Sequence, residues 1–142
     1  HHAIDEYLQN VRAHPYLSVP RGNTRLNVWG VVMKAQGHQI SHIHPTAWVS
    51  GVYYPKVPAL GEEPDRAGWI EFGRPGREFP FSFEPRVRSF RPEEGLLLLF
   101  PSYLYHRTIP LDTQHPRISI AFDLTRESEE FPPPYDRIES TA

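Results

Sequence analysis

Sixteen prolines are spread over the 142 residues of this chain, and they constrain its fold more than any other feature. Proline breaks the interior of a helix, and in sheets it is confined to edges, bulges and strand ends. Aromatic residues, which favour strands, make up 13% of the chain, and long helix-forming runs are few. The sequence therefore predicts a β-rich fold of short strands joined by proline-bearing turns.

One amphipathic helix is predicted ahead of the strands, over residues 3–13. Four apolar residues recur at the i, i+3, i+4, i+7 spacing of one helix face: Ile4, Tyr7, Leu8 and Val11. His14 should end this helix, because it precedes Pro15 and the residue before proline avoids the α region. We expect the helix to cover one face of a sheet.

Apolar and β-branched runs between turn signals predict about eight short strands. The main runs are residues 26–33, 39–44, 48–54, 69–72, 96–100, 106–109 and 118–124. Residues 79–90 should be an irregular or edge segment, because Pro80 and Pro85 interrupt them. This spacing indicates an all-β jelly-roll, or double-stranded β-helix. We predict a single domain over 1–142, with an N-terminal helix and lead-in (1–22), a double-stranded β-helix core (23–125) and an extended C-terminal tail (126–142).

The composition excludes several classes of function. A net charge of −2 and a pI near 6.5 leave no electrostatic footprint for nucleic acid or an anionic membrane. No apolar stretch approaches the about 20 residues of a membrane span, and no signal-peptide pattern opens the chain, so we expect a cytoplasmic protein. Without cysteine, a metal site would use imidazole and oxygen ligands. The His1-His2 pair is either native or the remnant of a tag.

Three histidines are candidate metal ligands. His42 and His44 stand one residue apart on a predicted extended segment, so both imidazoles should point to the same face. His106 follows the apolar run 96–100, at the start of the next strand. Taken alone, the pair is better explained as polar residues on a half-exposed strand, and His106 as a loop histidine. Taken together, we interpret the three as ligands of one ion.

Arg117 and Ser119 share one face of the last predicted strand, whose other residues are apolar. An arginine pointing into a barrel needs an anion, because a buried unpaired charge is costly. The planar guanidinium suits a carboxylate, and the serine hydroxyl adds a hydrogen bond. An internal salt bridge to Asp123 or Glu71 is the alternative. With the histidines nearby, we favour a metal together with a carboxylate ligand.

Four motifs within residues 24–125 follow one another as His42-Ile43-His44-Pro45, Trp48-Val49-Ser50-Gly51-Val52-Tyr53-Tyr54, Phe100-Pro101-Ser102 to His106, and Arg117-Ile118-Ser119. In this order they resemble motifs of the iron(II)- and 2-oxoglutarate-dependent oxygenases, specifically a small bacterial branch of that family. The resemblance implies a dioxygenase that uses Fe(II), 2-oxoglutarate and O₂. Such an enzyme hydroxylates a substrate and releases succinate and CO₂.

The resemblance also implies a role for individual residues. His42 and His106 match two iron ligands. Arg117 and Ser119 match the pair that binds the far carboxylate of 2-oxoglutarate, and Tyr54 is a candidate hydrogen-bonding partner for it.

His44 departs from the wider family, which places a carboxylate two residues after the first histidine. An imidazole in that position leaves the iron with one more net positive charge. We expect His44 to be the third ligand, because it shares the face of His42. A carboxylate from elsewhere, Asp112 or Asp123, is the alternative.

Two other functions stay open. A cupin-type three-histidine metal dioxygenase that does not use 2-oxoglutarate fits Gly95, Pro101 and His106, but it gives Arg117 and Ser119 no role. A non-catalytic binding module on the same barrel is the second. The substrate is not identified; we expect a small molecule or a peptide, with no nucleic-acid or membrane partner. The oligomeric state is open, a homodimer included.

Overall fold

The computed structural model describes residues 2–11, 14–17, 23–34, 37–76 and 79–126. Within these ranges one helix, α1 (His2–Asn10), precedes seven strands. The strands are β1 (Thr24–Met33), β2 (Val49–Lys56), β3 (Ile70–Phe72), β4 (Arg88–Phe90), β5 (Leu97–Pro101), β6 (His106–Thr108) and β7 (Arg117–Arg126). An all-β core behind one N-terminal helix was predicted, and it is confirmed.

The strands form two antiparallel sheets. One has four strands in the order β1-β7-β2-β5, and the other has three in the order β4-β3-β6. β1 and β7 pair from Thr24 opposite Arg126 to Met33 opposite Arg117. β2 lies between β7 and β5, and its register with β7 shifts between Tyr53 and Lys56. Short strands in two packed antiparallel sheets are the architecture of the predicted jelly-roll.

Two apolar layers hold these elements together. Between the sheets, β2 and β5 contribute Val52, Tyr54 and Phe100, which pack against Ile70 and Phe72 of β3. On the outer face of the four-stranded sheet, α1 packs its apolar stripe over the site where β2 begins and β7 ends; the buried members of that layer are Ile4, Leu8, Leu17, Trp48, Val49 and Leu124. The helix therefore covers one face of a sheet, as predicted.

The alternation along β7 separates two rows of side chains. Leu124 and Phe122 belong to the outer layer beneath α1. Arg117, Ser119 and Ala121 line the cleft between the sheets, and Asp123, next in the same row, contacts His44. One strand thus supplies a polar row to the inside of the barrel and an apolar row to its outside.

Some element boundaries differ from the predictions. α1 ends at Asn10, and residues 12–13 lie outside the described part of the chain. Residues 39–44 do not form a strand; within them His42 alone makes a bridge, with His106. β7 continues to Arg126, the first residue assigned to the tail, while 127–142 lie outside the described residues. Residues 79–90 contain the short edge strand β4, as the prolines predicted.

In the part of the chain that the structure describes, no helix has the length and apolar character to span a membrane. The division into lead-in, core and tail stays a prediction, and so does the cytoplasmic location.

Candidate metal centre

Backbone hydrogen bonds hold the three histidines side by side. His42 and His106 exchange both of their backbone bonds, each 3.0 Å from nitrogen to oxygen. The backbone N–H of His44 donates to the carbonyl of Ser102, also at 3.0 Å. Residues 42–44 are thereby fastened to β6 and to the turn that precedes it.

The three imidazoles converge on one point. Their ring centroids are 4.3 Å apart for His42 and His106, 5.1 Å for His44 and His106, and 5.3 Å for His42 and His44. One ring nitrogen from each lies within 4.8 Å of those of the other two. This spacing allows the three side chains to hold a single metal ion.

Hydrogen bonds determine which nitrogen each ring offers. Nδ1 of His42 lies 2.7 Å from the carbonyl oxygen of Ile40, and Nδ1 of His106 lies 3.0 Å from that of Leu104. Nδ1 of His44 lies 2.6 Å from Oδ1 of Asp123. Because each Nδ1 has an acceptor, it carries the proton, and Nε2 with its free lone pair is left for a metal. The donor set therefore fits a metal ion.

The protonation states also favour metal binding. Burial, with the adjacent His42, lowers the pKa of His106 to about 3. Burial is also the main reason that the pKa of His42 lies below its usual value, and the nearby His44 lowers it further. Both rings are therefore neutral near pH 7, which is the form that ligates metals.

The two carboxylates considered as alternative ligands do not join this cluster. Among the described residues, the group with metal-ligand spacing consists of His42, His44 and His106, without Asp112 or Asp123. Asp123 instead lies behind His44, on the Nδ1 side of its ring. The geometry supports the expectation that His44 is the third donor.

Arg117 is buried, with 4% of the residue surface exposed. Its terminal nitrogens donate to the carbonyl of Gly68 at 2.9 Å, to Oγ1 of Thr108 at 3.0 Å and to the sulfur of Met33 at 3.0 Å. Its Nε is buried without a hydrogen-bond partner among the described residues. All of these partners are neutral, so the positive charge of this guanidinium is not compensated by them.

Neither carboxylate proposed for an internal salt bridge reaches Arg117. Glu71 accepts hydrogen bonds from Arg107 at 2.7 Å and Arg74 at 3.0 Å, and Asp123 pairs with His44. Among the described residues Arg117 forms no ion pair within 4.0 Å. Among the described residues, therefore, neither Glu71 nor Asp123 provides the internal salt bridge, and the interpretation with a carboxylate ligand stays a prediction.

Ser119 and Tyr54 lie in the cleft beside Arg117. Ser119, buried to 4% exposure, follows Arg117 on the inner face of β7. The guanidinium carbon of Arg117 lies 5.8 Å from the ring centroid of Tyr54. Burial raises the pKa of Tyr54 to about 12, against the opposing effect of Arg117, so its phenol stays protonated and able to donate.

A single cleft joins these groups. Its empty volume, with the mouth that opens to solvent, is about 480 Å³. The polar side chains along it include the three histidines at one end and Arg117 with Ser119 at the other, and no aspartate or glutamate of the described ranges lines it. The cleft therefore suits an anionic ligand that reaches from a metal to Arg117.

The sequence matches a family model described as "Putative 2OG-Fe(II) oxygenase" over residues 27–123, more than half of the chain. The chain belongs to this family. The description of this family names Fe(II) and 2-oxoglutarate. That it falls in a small bacterial branch stays a prediction.

Solved structures share the fold of this chain. A prolyl-4-hydroxylase from Pseudomonas putida is 16% identical with a TM-score of 0.56, over 89% of this chain and 63% of that one. HygX from Streptomyces hygroscopicus with iron bound is 15% identical with a TM-score of 0.57, over 86% and 64%. A 2OG-Fe(II) family oxidoreductase from Burkholderia pseudomallei is 13% identical with a TM-score of 0.53, over 86% and 56%. The chain thus spans less than two thirds of the length of each, and no curated protein matches its sequence significantly.

Two features of the candidate site were missed by sequence reasoning. Trp29 lines the cleft with its ring centroid 5.9 Å from that of His44, but on β1 it looked like any strand aromatic. Thr108, which accepts from Arg117, is two residues after His106 and so shares its face; that spacing was a usable signal.

Proposed function

We propose that this protein is an Fe(II)- and 2-oxoglutarate-dependent dioxygenase that hydroxylates a substrate and releases succinate and CO₂. The observation that carries the proposal is the uncompensated guanidinium of Arg117, buried in the same cleft as three converging imidazoles. Family membership supports it independently.

The far carboxylate of 2-oxoglutarate would bind at Arg117. A charged side chain that is buried without a counter-ion destabilises the folded protein by about 3–5 kcal/mol, similar to the cost of removing one partner of a buried ion pair. A carboxylate that binds at Arg117 would remove this cost. The unpartnered Nε and the Ser119 hydroxyl are available as donors, and the protonated phenol of Tyr54 lies nearby. Gly68 and Thr108 orient the guanidinium, because they accept from different terminal nitrogens.

His42, His44 and His106 would hold the iron through Nε2. Their Nδ1 hydrogen bonds orient the rings before a metal arrives, which lowers the reorganisation that binding requires. Bound iron and 2-oxoglutarate supply the oxidising chemistry. The protein's contribution is to position both and to leave the mouth of the cleft, beside Trp29, for a substrate.

The first test is conversion of 2-oxoglutarate to succinate by the purified protein, with and without Fe(II). We expect slow, iron-dependent formation of succinate even without the prime substrate. Co(II) binding and 2-oxoglutarate binding are then measured separately for Arg117→Ala. The variant should bind 2-oxoglutarate roughly 10- to 100-fold more weakly, the value of one charged hydrogen-bonding group, and bind Co(II) normally.

Arg91→Ala is the matched control, since Arg91 lies on the surface and pairs with exposed Glu62. It should change neither affinity. An Arg117→Ala protein that still binds 2-oxoglutarate as the unaltered protein does would refute the role of Arg117.

One observation favours a second function. The third donor is an imidazole, whereas the common iron triad for 2-oxoglutarate has two histidines and one carboxylate. A three-histidine dioxygenase that does not use 2-oxoglutarate would instead place the carboxylate of its own substrate on Arg117. Oxygen uptake with a carboxylate substrate and no succinate formation would favour it.

The expected substrate stays a small molecule or a peptide, and a homodimer stays an option. A panel of candidate substrates can be scored by their acceleration of succinate release, because a bound prime substrate couples the two half-reactions.

A further inference from the structure

Asp123 is a carboxylate that contacts one of the three metal-binding imidazoles. Its Oδ1 lies 2.6 Å from Nδ1 of His44 and 2.6 Å from the hydroxyl of Ser50. Ser50 in turn lies 2.9 Å from the hydroxyl of Ser102, and both serines are fully buried. Two hydroxyls and the register of β2 with β7, which places Ser50 opposite Asp123, keep this carboxylate behind His44.

Apart from His44, no basic side chain of the described residues forms an ion pair with Asp123. Arginines neutralise buried Glu71 on the other sheet, but in the described chain no arginine or lysine lies within 4.0 Å of Asp123. The side chain is largely buried, with an exposure of 15%. A largely buried carboxylate whose nearest basic neighbour is an imidazole is stabilised when a cation lies beyond that imidazole.

The metal site lacks one negative charge compared with a carboxylate-containing triad. Two imidazoles and one carboxylate leave Fe(II) with a net charge of +1, whereas three neutral imidazoles leave +2. A carboxylate that accepts the Nδ1 proton of a ligating histidine makes that ligand more basic and transfers part of its own charge toward the metal. Asp123 has the geometry for this on His44 and on neither of the other two rings.

We propose that Asp123 is a positioning residue that supplies, through His44, the negative charge that a carboxylate ligand would otherwise bring to the iron. The inference rests on the proposed function only in requiring that the three histidines bind a metal. It does not depend on 2-oxoglutarate.

The first experiment measures metal binding and iron redox potential in Asp123→Asn, which keeps the shape and loses the charge. Co(II) affinity should fall roughly 10- to 100-fold, as it does when such partners of ligating histidines are lost. The Fe(III)/Fe(II) potential should rise, because the negative charge that is lost stabilises Fe(III) more than Fe(II). If the affinity for Fe(III) falls tenfold more than the affinity for Fe(II), the potential rises by about 59 mV. Unchanged affinity and potential in a folded variant would overturn the proposal.

Two control variants separate charge from packing. Ser50→Ala removes a hydrogen bond to Asp123 but keeps the charge, so the potential should move much less than in Asp123→Asn. Glu71→Gln removes another buried carboxylate, one that does not contact the histidines, and should leave Co(II) affinity unchanged. A potential that moves equally in Ser50→Ala and Asp123→Asn would assign Asp123 a packing role only.

The sharpest test removes the imidazole through which the charge is supplied. In His44→Asp the third ligand is itself a carboxylate, and no Nδ1 proton remains at that position for Asp123 to accept. Adding Asp123→Asn to that background should weaken Co(II) binding much less than the same change does in the unaltered chain. An equal weakening in both backgrounds would refute the proposal.

His44→Ala tests the remaining alternative, in which Asp123 and not His44 is the third metal ligand. We expect His44→Ala to lose most Co(II) affinity; retained affinity would overturn the inference. These metal measurements contain no 2-oxoglutarate, so failure of succinate formation with the predicted metal effects would reject the proposed function and leave this inference standing.

Discussion

Gly51 is a residue at which the barrel has no space for a side chain. A Cβ built there would lie 2.3 Å from Cζ of Phe122 and 2.9 Å from Cδ2 of Leu99. Both neighbours pack against the apolar layer beneath α1. Glycine at this position lets the Phe122 ring lie across β2.

We expect Gly51→Ala to destabilise the protein by about 1–3 kcal/mol, the usual cost of overpacking. Gly30→Ala is its control, because Gly30 lies in strand β1 of the same sheet and a Cβ there meets nothing within 4 Å. Denaturant unfolding of both variants measures the difference. Equal losses of stability in the two variants would show that the close contacts at Gly51 are not the reason that this position requires glycine.

The residues that form the site could be predicted from the sequence, but the contacts between their side chains could not. The spacing of His42 and His44, and of Arg117 and Ser119, follows from alternation along extended chain. Whether Asp123 meets Arg117, the metal or His44 depends on a contact across 79 positions. That contact is determined by the register of β2 against β7, which no local pattern encodes.

Residues 39–44 show why an extended element is not always a strand. The polar and apolar pattern predicted a strand, yet the backbone makes one bridge at His42 and separate bonds through Gln39 and His44. Pro45 follows at once and has no N–H to extend a ladder. Helix α1 was similarly overestimated at its C-terminal end, where His14-Pro15 marked the limit but not the last helical residue.

Strand β3 carries the buried ion pair of the smaller sheet. Burial alone would raise the pKa of Glu71, but the hydrogen bonds and charges of Arg107 and Arg74 outweigh it and hold that pKa below the usual 4.5. A depressed pKa means that the unfolded chain takes up the proton first as the pH falls. The stabilisation is therefore complete above about pH 4.5 and is lost as the pH falls through the folded-state pKa.

Glu71→Gln should lower the free energy of unfolding by about 1–3 kcal/mol at pH 7, the value of charged hydrogen bonds to partly exposed partners. The difference from the unaltered protein should shrink as the pH falls below 4.5. Urea unfolding of the metal-free proteins across this range measures it. A difference that stays constant down to acid unfolding would mean that the charge of Glu71 contributes nothing.

Across the whole molecule, the candidate centre links parts of both sheets. Residues 42–44 and β6 supply the imidazoles, and β2 and β7 supply the Ser50 and Asp123 side chains behind His44. A metal ion would therefore fasten together segments that unfolding separates. Ligand binding to the folded state alone stabilises it in proportion to the logarithm of ligand concentration.

Saturating Co(II) should raise the free energy of unfolding by about 2.7 kcal/mol at 100 times its dissociation constant. The melting temperature should accordingly rise with metal concentration. His106→Ala should abolish most of this rise, and His115→Ala, an exposed histidine outside the cluster, should retain it. Equal metal-induced shifts in the two variants would place the bound ion elsewhere.

The register of β7 with its neighbouring strands determines which misfolded forms of this protein can occur. Moving that strand by one residue would turn Arg117, Ser119 and Asp123 outward and Phe122 and Leu124 inward. The charged side chains of Arg117 and Asp123 would then leave the space between the sheets, and α1 would lose the apolar surface on which it packs. The same register positions the site residues on the inside of β7 and the apolar residues under α1, so misfolded forms that are well packed but lack the site should be rare. Quality control that recognises exposed apolar surface would therefore also remove the molecules in which the site has not formed.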